Sequence, residues 1–197
     1  MASELSKDIS KLTKNLSDLE RKQIPFATSL ALNQVAQDAQ RRAQRRLRID
    51  LDRPTPFTIR GIGVSRSSKR KLQSAVFIKD IQADYLKYAI FGGTRRPANR
   101  AITVPVKARL NKFGNIPRKK IQSLLTRSDV FVVSNSEKAG IYQRMKSGKL
   151  KMLIAFESTA VYKRRYDFKD IVVIEANKRI TPAMRQALKK ALSTMKK

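Results

Sequence analysis

The sequence predicts an α+β fold: N-terminal helices, a central antiparallel β-sheet with short embedded helices, and C-terminal helices. Three observations predict it. Apolar residues near the N-terminus recur at helical spacing. The middle of the chain breaks into short apolar runs separated by Gly, Pro and basic turns. The end carries a Thr-Pro helix start. At 197 residues, with no internal repeat and no long linker, a single domain over 1–197 is expected.

Leu5, Ile9, Leu12, Leu16 and Leu19 follow 4-3-4-3 spacing and form one stripe on an amphipathic helix within 1–22. Such a stripe packs on its own domain or on a neighbouring subunit, because two to three heptads alone make a marginal coiled coil. Pro25 suits the first turn of a second helix, which runs to Leu47 within a block of 23–48. Its first half is small and apolar. Its second half holds Arg41, Arg42, Arg45, Arg46 and Arg48, which spread around the helix and suit an end projecting into a polyanion.

Asp50–Pro56 is rich in breakers. A mainly β region over 57–160 follows. Phe57–Val64 and Gln73–Ile78 read as strands joined by a basic turn. Ala83–Phe91 reads as a helix ended by Gly92-Gly93, its Tyr85, Tyr88 and Phe91 at three-residue spacing expected in the core, and Ala101–Ala108 as a strand whose Pro105 marks an edge or bulge. Ile116–Leu125 reads as a short helix and Val130–Val133 as a buried strand. Gly140–Met145 and Leu150–Phe156 form a hairpin about Lys146–Lys149. Within 168–197, Phe168–Asn177 and Thr181–Met195 read as two helices, Thr181 capping the second and Pro182 opening it.

Charge is the outlying property. Against 44 Lys and Arg stand 15 Asp and Glu, a formal +29. Residues 41–127 hold 23 of the bases and only Asp50, Asp52, Asp80 and Asp84 as acids, a surplus of 19. Self-repulsion of that size opposes compaction, so a polyanion is the expected partner, and nucleic acid is the commonest. No zinc-finger spacing, basic-region heptad array or aromatic ribonucleoprotein motif is present, which leaves nonspecific phosphate contact to duplex.

Catalysis is not expected. The chain has no Cys and no His, which removes thiolate chemistry and the commonest general base. Asp50 and Asp52 read as turn residues or Arg partners, and Gly92-Gly93-Thr94 lacks the end of a phosphate loop. No metal site and no cofactor are expected. No apolar run spans a membrane and residues 1–10 lack a signal peptide's apolar core, so a cytosol, or a particle assembled there, is the expected compartment.

Three stretches together resemble a known family: Pro25–Ala36 (PFATSLALNQVA), Tyr85–Pro97 (YLKYAIFGGTRRP) and Tyr162–Asp167 (YKRRYD). They look like the minor tail protein Z family of lambda-like phages, the tail-completion proteins. The resemblance covers roughly residues 24–191 and leaves the N-terminal stripe unmatched. It implies a structural virion protein at the head-proximal end of a tail, assembled in the host bacterial cytoplasm and needed for joining heads to tails. It also implies a homo-oligomeric ring, commonly of six, around a DNA channel, with a tail terminator, tail tube or head connector as neighbours. On that implication Arg41, Arg42, Arg45, Arg46 and Arg48, with Arg66, Lys69, Arg70 and Lys71, face the channel DNA. Leu5, Ile9, Leu12, Leu16 and Leu19 serve subunit contacts. The alternative is a nonspecific basic nucleic-acid-binding protein with no virion role.

Overall fold

The computed structural model describes residues 19–98, 100–134 and 138–194. The N-terminal stripe at Leu5, Ile9, Leu12 and Leu16 lies outside them. Leu19–Gln23 is a π-helical turn leading into α1. The architecture is α+β: α1 (Ile24–Asp50), α2 (Pro56–Ile59), β1 (Ile62–Ser65), β2 (Ala75–Ile78), α3 (Asp80–Phe91), β3 (Gly93–Arg95), β4 (Ile102–Pro105), α4 (Lys120–Leu125), β5 (Val130–Val133), β6 (Gly140–Arg144), β7 (Leu150–Glu157), β8 (Ala160–Tyr162) and α5 (Phe168–Ser193). The chain groups into two compact units. Among the described residues the first takes 19–47, 57–83 and 167–194, and the second 48–56 and 84–166.

In the first unit α1 and α5 run antiparallel. Ala27 and Ala31 near the start of α1 pack on Ala187 and Ala191 near the end of α5, flanked by Phe26, Leu30 and Met184. Alanines at this contact let two backbones approach closely while keeping strong helix propensity. Six of the eight buried positions of α1 recur every four residues, at Ala27, Ala31, Val35, Ala39, Ala43 and Leu47, with Ser29 and Ala36 beside them. Four residues advance about 400°, so this strip drifts about 40° per step and winds around the helix. The antiparallel pair β1–β2 completes the unit.

In the second unit a four-stranded antiparallel sheet has the order β4-β7-β6-β5. Its core is Leu124, Val130, Ile141, Leu153 and Ile154, with Ile141 and Ile154 as cross-strand partners. Pro105 sits on edge strand β4, where its missing N–H costs no ladder bond. The β6–β7 turn closes through Gly148 at φ 76, a conformation glycine adopts without penalty. A separate pair, β3–β8, joins Gly93–Arg95 to Ala160–Tyr162. Gly92 and Gly93 both take positive φ, as the sharp exit from α3 demands.

Four expectations are corrected. Phe57–Val64 is not one strand: Pro56–Ile59 forms a helical turn, closed where the Gly61 N–H donates to the Thr58 carbonyl at 3.1 Å, and the strand starts at Ile62. The two C-terminal helices are one, with Pro182 inside α5. After Pro182, Ala187 and Ala191 pack on α1, while before it Val172 and Ala176 line a groove beside α1. On α3 Gln82 and Leu86 are each buried, whereas Phe91, expected in the core, is 80% exposed. Gln82 is satisfied there because its side-chain amide donates to the Phe57 carbonyl at 3.2 Å. The fourth correction concerns the arginine run and belongs to the site.

Candidate nucleic-acid interface

Side chains at 41, 42, 45, 46 and 48 do not encircle α1. At 100° per residue they fall in an arc of about 160°. Ala43 and Leu47, both fully buried, hold the opposite side. The arginine half of the helix is therefore packed along one side and is not a free projection. Arg41, Arg42, Arg45 and Arg48 are exposed and Arg46 is half-buried; Arg48 belongs to the second unit.

Their surroundings differ. Arg41 is bound to Asp38 one turn earlier. Burial pushes the Asp38 carboxyl up. Hydrogen bonds from Arg41 and Gln34, with the charges of Arg41 and Arg179, outweigh it and hold that carboxyl below the usual carboxylate range. Arg42, Arg45 and Arg46 line a cleft of about 480 Å³, facing Asp167, Asp170 and Glu175 of α5. Glu175 in turn binds Arg179 at 3.0 Å, and that pairing raises the Arg179 guanidinium above its usual value. Arg42, Arg45 and Arg48 make no ion pair among the described residues.

The second cluster sits in the β1–β2 connection. Asn33 on α1 holds Ser67 by two hydrogen bonds. Gln40, seven residues on and so on the same side of the helix, donates to the Ile62 carbonyl at 2.7 Å. The turn is closed by Ser68 N–H to the Lys71 carbonyl (2.9 Å), Lys71 N–H to the Ser68 carbonyl (3.2 Å) and Ser67 Oγ to the same Lys71 carbonyl (3.1 Å). Ser67 is buried inside this turn, while Arg66, Lys69, Arg70 and Lys71 are exposed around it. The Lys69 ammonium rests 4.9 Å from the centre of the Phe26 ring, a cation–π contact. Arg66, Arg70 and Lys71 make no ion pair among the described residues.

Both clusters are thus fixed to one helix, at different places. The loop is tied at Phe26 and Asn33, and the arginines begin at Arg41. Along α1 that separation is about 12–22 Å. Sequence reasoning missed the α5 carboxylates opposite the arginines, since their placement depends on the fold. It also missed the Lys69–Phe26 contact, which spans 43 residues.

Elsewhere, Asp52 is paired with Arg53 by two 3.0 Å hydrogen bonds, as an Arg partner in a turn. That pairing lowers the exposed Asp52 carboxyl and raises Arg53. Among the described residues no group of three carboxylates is arranged to hold a metal ion. No described helix is long and apolar enough to cross a membrane. The stretches Tyr85–Pro97 and Tyr162–Asp167 meet in the second unit. The Arg165 and Tyr166 N–H groups both donate to the Ala89 carbonyl, at 2.8 and 3.0 Å, and the Tyr88 and Tyr162 rings lie 5.5 Å apart. Tyr166 is fully buried there, and burial together with the Asp50 charge pushes its phenol up.

No family model, curated protein or solved structure matches the chain.

Proposed function

We propose that this chain is a structural, non-enzymatic protein that holds duplex DNA by nonspecific phosphate contacts, as a tail-completion component at the head–tail junction of a phage. One observation carries the DNA half of this reading. Arg42, Arg45, Arg66, Arg70 and Lys71 are exposed and without ion pairs among the described residues, on elements tied together by Asn33 and Gln40. Cations held apart in this way, on a chain of +29, are relieved by phosphate and release its condensed counterions. The head–tail half is supported by the resemblance carried at Pro25–Ala36, Tyr85–Pro97 and Tyr162–Asp167. A ring of such chains, six in the family's usual pattern, lines a passage for DNA. Its neighbours are the tail terminator, the tail tube or the head connector.

Electron microscopy of a phage lacking this gene tests the reading. The expected particles are filled heads and finished tails that fail to join, or that join without infecting. Normal infectious particles remove the virion role and leave a nonspecific nucleic-acid-binding protein as the account of the charge.

A further inference from the structure

The four-stranded sheet of the second unit has one face that the duplex reading leaves unused. Directly opposed residues of antiparallel strands share a face. Ile141 and Ile154 are such a pair, and with Leu124 of α4 they belong to the core. Phe131, Tyr142 and Met152 are opposed across β5, β6 and β7 on the other face, with Arg144 and Leu150 opposed two residues further on. None of these five is buried: Phe131, Tyr142 and Met152 are half-buried, and Arg144 and Leu150 are exposed. The Phe131 and Tyr142 rings are stacked, 6.2 Å between centres and 21° between planes. The Arg144 guanidinium lies 5.8 Å from the Phe131 ring centre. The Tyr142 hydroxyl is held in place by donating to the Lys138 carbonyl at 2.7 Å.

We propose that this face binds single-stranded nucleic acid, stacking unpaired bases on Tyr142 and Phe131 and meeting the strand's phosphates with Arg144, Lys146 and Lys149. Every base has a π face, and adjacent aromatics on an open sheet hold successive bases. The Arg144 guanidinium adds a further stacking plane. A duplex does not fit this chemistry, because its bases stack on one another and show a protein only their edges.

Charge selects the same partner. Lys146 and Lys149 are exposed where β6 turns into β7, and with Arg144 they make no ion pair among the described residues. The carboxylate beside them, Asp129, is engaged by Arg127 at 2.7 Å and by Gln143 at 2.8 Å. Glu157 shares the face but stands about 23 Å along β7 from Leu150. The rings therefore adjoin a cationic end of the sheet. Phe131 and Tyr142 lie in no basic run of the sequence, and only the pairing of β5 with β6 brings them to Arg144. The proposal goes beyond the tail reading and needs neither a ring nor a virion.

The chain has no tryptophan, so Tyr142→Trp places a single reporter on the face and keeps a ring there. The full chain is titrated with a short thymidine DNA strand, a uridine RNA strand of equal length, and an abasic strand with the same phosphates and no bases. The expected result is quenching of the tryptophan by the DNA strand, the RNA strand or both, with binding about tenfold tighter than the abasic strand. The strand that shows this preference identifies the natural source. In Phe131→Leu/Tyr142→Leu, checked for folding by circular dichroism, the preference disappears while duplex affinity stays at the wild-type value. Should that variant not fold, the Tyr142→Trp titration decides alone. Equal affinity for the abasic strand and both base-bearing strands overturns the proposal, as does a preference that survives in the folded double variant. Duplex and single-strand affinity falling alike overturns it too. So does tryptophan emission that shifts with protein concentration in the absence of nucleic acid, because a second copy then covers the face.

Discussion

Asn33 and Ser67 are joined in both directions: the Asn33 Nδ2 donates to the Ser67 carbonyl at 3.0 Å, and the Ser67 N–H donates to Asn33 Oδ1 at 2.8 Å. One side chain thereby satisfies both main-chain groups of a residue only 7% exposed. This pairing anchors the loop of Arg66, Lys69, Arg70 and Lys71 to α1. Asn33→Leu removes both bonds and strands the Ser67 groups, at a cost of about 1–3 kcal/mol. Asn33→Asp keeps the acceptor, loses the donor and falls between. Urea denaturation reads the series; a Leu variant as stable as wild type contradicts the anchoring role.

Asp38 gives the stability a pH dependence with a definite sign. Its carboxyl is raised by burial but lowered more by Arg41, Gln34 and Arg179. A carboxyl depressed in the folded state stabilises at and above the ordinary Asp value of about 4, and that stabilisation fades as pH falls through the lower folded value. The Arg41 side chain is 53% exposed, so solvent screening limits the pair to about 0.5–1 kcal/mol. Asp38→Asn is therefore less stable at pH 7 by that amount, and the gap closes in acid. Melting curves from pH 7 down to about pH 3 check this.

Pro182 stands exposed inside α5 and offers no N–H to the Lys178 carbonyl. Pro182→Ala restores that bond and stabilises by about 1–3 kcal/mol. Thermal unfolding reads the change, and a variant less stable than wild type contradicts it.

In the second unit Gly140 passes under β7 so closely that an added Cβ meets the Ile154 carbonyl oxygen at 2.3 Å. Backbone cannot give way as a side chain can. Gly140→Ala forces β6 and β7 apart and destabilises by about 1–3 kcal/mol or more. Thermal unfolding followed by circular dichroism measures it.

Elements whose signals are local were legible in the sequence. Ala-rich spacing and Pro25 mark α1, Gly92-Gly93 marks the end of α3, Pro105 marks an edge, and Gly148 marks the β6–β7 turn. What escaped depends on distant partners. Strands β3 and β8 are three residues each and exist only because Gly93–Arg95 and Ala160–Tyr162 meet across the second unit. Thr181-Pro182 is a sound local start signal that packing along α1 overrides. Gln82 is interior because Phe57 offers it a carbonyl, which no periodicity reports. For the site, the basic loop was legible as a charge run, but the Asn33–Ser67 pairing across 34 residues and the confinement of the arginines to the side of α1 opposite the buried Ala43 and Leu47 depend on the fold.

The salt dependence of duplex binding tests the central claim most directly. Affinity for a random-sequence duplex is measured over a range of salt for wild type, for Arg42→Ala/Arg45→Ala and for Arg66→Ala/Arg70→Ala/Lys71→Ala. Each phosphate contact contributes about −0.9 to the slope of log affinity against log salt. The account predicts slopes shallower than wild type by about 2 for the α1 pair and about 3 for the loop triple, with folding unchanged. Slopes that stay at the wild-type value in both variants contradict it, because these cations then do not touch phosphate.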